Sequence, residues 1–466
     1  MTTLADLSLA QAAASVRERK VSPIELVDAC LGRIEKVESL INAFITIDRD
    51  RTRDTAVTLA DEAERGEFRG PLHGVPVAVK DIFDVEGLPT TAASKILADA
   101  SPAPRDSACV ERLRAAGAII LGKLNLHEWA FGATGVDSHV GPARNAWDLE
   151  RVTGGSSSGS GTSVAAGECF AALGTDTGGS IRIPASLCGI VGLKPTFGRI
   201  SRRGVFPLSW SLDHVGPMAR TVEDTALVLQ AVAGHDPADR SSIDEPVPDY
   251  AGTLSKGLSG LRIGVPDSFF FDGLDPDVDS GVRKAIGVLK ELGSGVQSIS
   301  LPLIDEMPTA LTCIMLPESL AIHRRWMQTR PDDYSENVRY RLELGSTFNA
   351  VEYVEAQRFR DLAVERWASE VFDKVDLIAT ASTLRAAPLI ESSDLSATMG
   401  LIRLTNPLNL LGIPAISVPC GFTRDGLPFG MQLAGRWWDE ATVLRAAHAY
   451  EQASTWKDRG PDLSGA

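Results

Sequence analysis

The segment from Thr153 to Pro184 is far richer in glycine and small hydroxyl residues than the rest of the 466-residue chain. Near its end, Thr177-Gly178-Gly179-Ser180 places a serine after two glycines. Consecutive glycines let successive backbone N–H groups point at one position, which suits the negative oxygen of a tetrahedral intermediate. The same geometry would bind any anion, so this turn alone does not establish catalysis.

Two other interpretations of this segment fit less well. The glycine spacing from Gly154 to Gly159 is that of a P-loop, but Ser160 stands in place of the required lysine, which argues against nucleotide binding. Gly155 to Gly159 also matches the G-x-S-x-G elbow of α/β-hydrolases, with Ser157 as the nucleophile. That elbow needs a preceding strand and a downstream acid and histidine. Residues 144–153 are predicted to be a polar loop, and no downstream histidine has a distinctive setting. The α/β-hydrolase interpretation is therefore weakly supported.

Lys80 is the candidate proton acceptor for a serine nucleophile. It follows the apolar run Val75 to Val79, which predicts a buried strand. A lysine must be neutral to accept a proton, and burial lowers its pKa from about 10.4. The neighbouring Asp81 would favour the charged form, but consecutive strand residues point to opposite faces, so we expect Asp81 to have a structural partner elsewhere. Without other motifs, Lys80 would be interpreted as an ordinary exposed lysine.

Several motifs along nearly the whole chain resemble those of the amidase signature hydrolases. In chain order they are GVPVAVKD (74–81), GGSSSGS (154–160), GTDTGGSIRIPA (174–185), GLKPTFGRIS (192–201), NLLGIPAISVPCGF (409–422) and GLPFGMQLAG (426–435). One departure is Ser158, where the family often has glycine. This departure leaves the motif residues discussed next intact.

The resemblance implies amide hydrolysis by a Ser–Ser–Lys triad without a cofactor. By position it assigns Ser180 as the nucleophile, with Ser156 and Lys80 as its proton-transfer partners. It also implies a cis peptide bond between Gly155 and Ser156. The oxyanion donors would be the backbone N–H groups of Thr177, Gly178, Gly179 and Ser180.

The resemblance leaves the substrate open. The glutaminase subunits of tRNA-dependent amidotransferases are very similar to free-standing amidases, but the acidic residue with which they hold glutamine aligns here with the apolar Ile402. Glutamine is therefore disfavoured, and such a glutaminase remains the runner-up. A non-catalytic relative acting as an interaction protein is the third alternative. We expect the acyl pocket to come from residues 305–347, which supply Met307, Met315, Trp326, Tyr334 and Tyr340.

Other charged residues near these motifs are interpreted as structural. Arg182 could bind a substrate carboxylate, but it is interpreted as a structural residue with Asp176 as its candidate partner. Lys194 is interpreted as scaffold because the family triad does not use this position. His127 and Glu128 begin like a zinc motif, but the second histidine is absent, so no metal site is expected.

The pattern of elements predicts an α/β fold: a single large domain with a central mixed β-sheet covered by helices on both faces, as in the amidase signature fold. The capping box Ser22-Pro23-Ile24-Glu25 predicts a helix start. Short apolar runs at 75–79, 118–121, 261–265, 377–380, 415–418 and 431–433 predict strands. Within the domain we distinguish an N-terminal helical segment (1–65), a catalytic core (66–225), a divergent substrate-pocket region (235–400) and a return to the core (401–466).

The amino-acid composition limits the kinds of molecule that the protein is expected to bind. A formal charge of −15 argues against direct binding of nucleic acid. The six scattered cysteines form no CxxC pair, and residues 1–20 resemble neither a signal peptide nor a membrane anchor. We therefore expect a cytoplasmic enzyme with a small-molecule amide substrate and no membrane contact; a homodimer is compatible with the sequence.

Overall fold

The computed structural model describes residues 3–463. The ends of the predicted segments 1–65 and 401–466 therefore lie outside the described residues. The strands are β1 Phe44–Ile47, β2 Pro76–Lys80, β3 Ile119–Leu124, β4 Arg144–Asn145, β5 Asp148–Val152, β6 Ala171–Asp176, β7 Val191–Lys194, β8 His214–Ala219, β9 Arg262–Pro266, β10 Gly295–Ile299, β11 Leu377–Ala381, β12 Ala415–Phe422 and β13 Pro428–Gly435.

Fifteen α-helices lie among the strands within residues 3–463. They are α1 Leu9–Arg17, α2 Pro23–Ile41, α3 Arg49–Arg65, α4 Ala108–Ala115, α5 Ser158–Ala165, α6 Arg182–Cys188, α7 Val222–Val232, α8 Tyr250–Thr253, α9 Pro276–Glu291, α10 Met307–Thr329, α11 Glu336–Leu344, α12 Ala350–Glu370, α13 Leu395–Ile402, α14 Asn406–Leu410 and α15 Glu440–Gln452. Helix α2 begins at the predicted capping box, in which Ser22 Oγ accepts from Ile24 N and Glu25 accepts from Ser22 N. No helix within residues 3–463 combines the length and apolar character needed to cross a membrane.

Eleven strands form one mixed sheet in the order β1-β3-β2-β6-β8-β7-β12-β13-β11-β9-β10. Strand β2 lies parallel to β3 and β6, whereas β8 runs antiparallel to β6 and β7. Helices α5 and α6 pack together on the sheet, as do α7 and α15. The predicted α/β domain with a helix-flanked mixed sheet is confirmed.

One local prediction is wrong. Residues 144–153 are not a polar loop but the two-stranded hairpin β4–β5, which lies outside the main sheet. Asn145 Nδ2 donates to the carbonyl oxygens of Val152 (3.0 Å) and Leu187 (2.8 Å), and these bonds hold the hairpin on α6. A hairpin at the surface needs no apolar run, so its sequence lacked the signal on which strand prediction depends.

Candidate active site

The side chain of Lys80, the last residue of β2, is completely buried. Its Nζ lies 2.7 Å from Ser156 Oγ, 2.9 Å from Thr175 Oγ1 and 3.2 Å from Ser157 Oγ. Ser156 and Ser157 precede α5, and Thr175 belongs to β6, which pairs with β2. Two separate segments, the turn before α5 and strand β6, therefore surround one amine with hydroxyl groups.

Burial lowers the pKa of the Lys80 ammonium to about 7, although the more distant carboxylates of Asp213 and Asp176 partly oppose the change. Within the described residues Lys80 forms no ion pair. A substantial fraction of the amine is consequently neutral at pH 7 and able to accept a proton.

The two serines of the predicted triad are brought close by backbone contacts. Ser157 N donates to Ser180 O (3.3 Å), and Gly155 N donates to Ala133 O (2.6 Å). The peptide bond between Gly155 and Ser156 is cis, as the family resemblance implied. Ser156 is fully buried and Ser180 is 8% exposed. The Ser180 hydroxyl makes no hydrogen bond within residues 3–463, so the structure shows no direct hydrogen bond between Ser180 and Ser156.

The loop that precedes Ser180 has a defined orientation. Gly179 N donates to Asp176 Oδ1 (2.8 Å), and Gly178 O accepts from Thr405 Oγ1 (2.6 Å). Gly179 has φ +135°, and a Cβ there would lie 2.1 Å from Thr405 Oγ1, so only glycine fits. Of the four predicted donors, the N–H groups of Thr177, Gly178 and Ser180 have no acceptor among residues 3–463, whereas that of Gly179 is engaged.

The family model described as Amidase matches residues 25–444 of the chain. The chain belongs to the amidase signature family. An amidase of Pseudomonas putida is 46% identical over 475 residues, with 100% of both chains covered. A glutamyl-tRNA(Gln) amidotransferase subunit of Roseiflexus sp. (strain RS-1) is 43% identical, with 99% of both covered. The solved peptide amidase of Stenotrophomonas maltophilia has 30% identity and a TM-score of 0.87, with 98% of both chains covered. The protein is thus an amide-hydrolysing enzyme.

Asp81 of this amidase has the structural partner that its strand position predicted. Its Oδ1 lies 2.7 Å from Lys123 Nζ in the neighbouring strand β3, and both side chains are buried. Its Oδ2 accepts from the backbone N–H (3.0 Å) and the hydroxyl of Thr91. The carboxylate next to Lys80 in sequence is therefore directed away from the Lys80 amine.

Arg182 and Asp176 form the predicted structural pair of the amidase. Arg182 Nε and Nη2 each lie 3.0 Å from one Asp176 oxygen, and Asn409 Nδ2 donates to Asp176 Oδ1 (2.8 Å). Burial alone would raise the pKa of the Asp176 carboxyl, but Arg182 outweighs that effect and holds it well below its usual range. The ionised carboxylate is thus available to orient Gly179.

The remaining candidates of the sequence have structural contacts. Lys194 Nζ donates to the carbonyl oxygens of Pro195 and Ile413, as expected for a scaffold residue. His127 Nε2 lies 3.2 Å from Asp137 Oδ2, and Glu128 accepts from Ser94 Oγ (2.6 Å). Among residues 3–463 no group of three His, Cys, Asp or Glu side chains is arranged to hold a metal ion.

Ser157 does not have the contacts of a hydrolase elbow. Its hydroxyl donates to Thr175 O (3.2 Å) and accepts from Thr175 N (3.3 Å) and Lys80 Nζ, and no histidine contacts it. Ser157 and Thr175 instead hold the lysine amine. Sequence reasoning did not assign them this role; Thr175 carries no local signal, because its contact spans 95 positions.

A cavity of about 280 Å³ opens beside Thr175. Its wall includes Ile82, Val205, Phe206, Leu208, Trp210 and Asp213. The five residues predicted from region 305–347 do not line this cavity. Trp326 and Tyr334 pack on Trp129 instead, and Tyr340 is 49% exposed.

Proposed function

We propose that this enzyme hydrolyses small carboxylic amides through a Ser180 acyl-enzyme, with Ser156 and Lys80 transferring the protons. The observation that supports this best is the 2.7 Å contact between Lys80 Nζ and Ser156 Oγ, both fully buried, where Lys80 forms no ion pair with any residue from 3 to 463. Burial lowers the pKa of this amine to about 7, so it can gain and lose a proton under physiological conditions. The 280 Å³ cavity beside Thr175 suits a small molecule.

The proposed acylation begins with neutral Lys80. Lys80 takes the proton of Ser156 while Ser156 takes the proton of Ser180, because a hydroxyl can donate and accept at once. Ser180 Oγ attacks the amide carbonyl carbon, and the free N–H groups of the Thr177–Ser180 loop stabilise the resulting oxyanion.

The leaving group then departs. Protonated Lys80, acting through Ser156, returns a proton to the amide nitrogen, and the C–N bond breaks to release ammonia or an amine. Water attacks the ester of Ser180 by the same route in reverse, which yields the carboxylate and the free enzyme.

The glutaminase of a tRNA-dependent amidotransferase is the second candidate, because a relative of that description is 43% identical over nearly the whole chain. The apolar Ile402 argues against glutamine. Copurification with a tRNA-binding partner protein from the organism that produces this protein would support this candidate. Amide turnover by the isolated chain would favour the free-standing amidase.

We also propose that the enzyme is located in the cytoplasm. All six cysteines are unpaired thiols, which is compatible with a reducing compartment.

Replacement of the nucleophile tests the mechanism. We expect Ser180→Ala to lower kcat about a thousandfold or more on a panel of aliphatic, aryl and dicarboxylic amides plus glutamine. It should also abolish labelling by a fluorophosphonate, which reacts with activated serines. Ser163→Ala is the matched control, since Ser163 is a buried serine of α5 whose hydroxyl contacts Cys169 and not Lys80.

The control variant should keep both turnover and labelling. Full activity of Ser180→Ala, or labelling of wild-type enzyme at another serine, would contradict the assignment. A wild-type protein that neither reacts with the probe nor turns over any amide would support a non-catalytic interaction protein.

A further inference from the structure

The loop formed by residues 127–135, which we call the His127 loop, packs directly against the segment that carries Ser156. The backbone N–H of His127 donates to Ser156 O (3.0 Å), and Ala133 O accepts the N–H of Gly155 (2.6 Å). The backbone on both sides of the peptide bond between Gly155 and Ser156 is therefore hydrogen-bonded to this one loop.

The His127 loop and the Ser156 segment meet backbone to backbone. A Cβ at Gly155 would lie 2.7 Å from Gly132 O and 2.8 Å from Gly135 N. Because contacts this close leave no space for independent movement, a shift of the loop must also move the backbone of Ser156. The Ser156 hydroxyl lies 2.7 Å from Lys80 Nζ, so such a shift would change the contact on which proton transfer depends.

The imidazole of His127 connects the two ends of this loop. In the sequence this residue belongs to an incomplete zinc motif, but in the structure its ring is fully buried and its Nδ1 accepts the backbone N–H of Gly135 (3.2 Å). A Cβ at Gly132 would lie 2.1 Å from His127 Nε2, so the ring packs against the backbone there. The ring thus contacts the loop on both sides of Ala133, the residue whose carbonyl holds Gly155.

The surroundings of the ring determine which nitrogen carries the proton. Burial lowers the pKa of the His127 imidazole, although Asp137 partly opposes the change, so the ring is neutral at pH 7. Since Nδ1 accepts a hydrogen bond, the single proton is on Nε2, which lies 3.2 Å from Asp137 Oδ2. Asp137 also accepts from Asn337 Nδ2 of α11 (3.1 Å). The lone pair of Nδ1 therefore stays directed at Gly135.

We propose that His127 is a positioning residue of this amidase, whose imidazole holds the His127 loop on the Gly155 N–H and thereby keeps the Ser156 hydroxyl in contact with Lys80. The imidazole is not part of the cavity wall and acts only through Ser156. The inference rests on the proposed function, because it requires Ser156 to transfer a proton, and it adds a residue that sets the geometry of this transfer.

Two replacements separate the contributions of the two ring nitrogens. An asparagine side chain places an amide oxygen where Nδ1 stands, whereas a glutamine side chain reaches the position of Nε2. His127→Asn therefore retains the acceptor for Gly135, and His127→Gln retains only the contact with Asp137. We expect His127→Gln to lower kcat about a hundredfold with KM within about threefold of wild type, because a misplaced proton-transfer group slows the reaction and leaves binding intact. His127→Asn should keep kcat within about fivefold of wild type.

His73 offers a matched control. It is also buried, and its Nδ1 accepts the backbone N–H of Arg69 at the same distance of 3.2 Å. Its other ring nitrogen lies 2.9 Å from Leu59 O, so its hydrogen bonds are with segments other than those of the two serines. His73→Gln should lower the free energy of unfolding in urea and leave kcat unchanged, which is the result expected of a purely structural histidine.

The rate at which a fluorophosphonate labels Ser180 gives a second measurement of the same effect. It should fall in His127→Gln by about the same factor as kcat, because both depend on the contact between Ser156 and Lys80, and it should recover in His127→Asn. Equal losses of kcat in the two variants, or wild-type kcat in both, would overturn the inference. If His127→Gln does not fold, His127→Asn decides: a kcat within about tenfold of wild type supports the acceptor role, and a larger loss in the folded protein refutes it.

Ser180→Ala distinguishes failure of this inference from failure of the proposed function. If Ser180→Ala remains fully active, the proposed function itself is wrong. If Ser180→Ala is inactive while His127→Gln has wild-type kcat and labelling, the triad stands and only the positioning role of His127 is refuted.

Discussion

Lys80 and Lys123 occupy neighbouring positions in the sheet and have opposite surroundings. They belong to the paired strands β2 and β3, where Val79 is in register with Lys123, and both side chains are fully buried. Lys123 has a carboxylate partner, Asp81, at 2.7 Å. Lys80 has the hydroxyl groups of two serines and a threonine and no ion pair within the described residues.

Under the mechanism that we propose, burial by itself is not enough to make a lysine a base. A buried carboxylate favours the ammonium form of its partner, and the two charges then stabilise each other. Hydroxyl groups satisfy the hydrogen bonds of an amine without supplying a negative charge. The Lys80 amine can therefore exist neutral, and the contact of Asp81, just after β2, with Lys123 is what keeps that carboxylate away from it.

The largest effects are expected when each lysine is removed. Lys80→Met should lower kcat/KM about a thousandfold or more with little loss of stability, because it takes away an amine that burial disfavours. Lys123→Met should lower the free energy of unfolding by about 3–5 kcal/mol, because Asp81 is left buried and unpaired. Urea denaturation and steady-state kinetics of both variants measure these effects. Equal destabilisation by the two substitutions would show that the two sites do not differ as we describe.

The next largest effect is expected in the pH dependence of kcat/KM and of the free energy of unfolding. Because only neutral Lys80 accepts a proton and burial lowers its pKa to about 7, kcat/KM should fall about tenfold per unit below pH 7 and level off above it. A lysine in the unfolded chain stays protonated up to about pH 10.4, so between 7 and 10.4 the unfolded state binds more protons and raising the pH stabilises the fold. Lys80→Met should show a smaller increase in unfolding free energy over that range. An activity profile that is flat from pH 5 to 9 would exclude Lys80 as the base.

The smallest effect concerns Thr175, which accepts one of the hydrogen bonds of the amine. A hydrogen bond to a charged group is worth about 1.5 kcal/mol, which corresponds to about 1 pKa unit. Thr175→Val should therefore move the acid limb of the kcat/KM profile down by about that amount, and Thr175→Ser should restore the wild-type profile. A shift to higher pH would mean that Thr175 does not stabilise the protonated amine.

The sequence predicted those elements that have a strong local signal. Strand β2 follows from its run of apolar residues, and α2 follows from the capping box at Ser22. Strand β6, which carries Thr175 and Asp176, was not predicted because Ala171–Asp176 contains mostly small residues. Its strand conformation depends on pairing with β2 and β8 on either side, and those partners are distant in the chain.

The amino-acid sequence by itself determined the chemical groups of this amidase and their local settings: the glycines before Ser180, the Ser156 motif and the apolar run that buries Lys80. Only the tertiary structure decided which hydroxyl groups reach the Lys80 amine, that the Asp81 carboxylate does not reach it, and which N–H of the Thr177–Ser180 loop is already engaged. The reason is that desolvation, ion pairing and hydrogen bonding at this site depend on contacts between segments tens to hundreds of residues apart, which no local pattern of residues specifies.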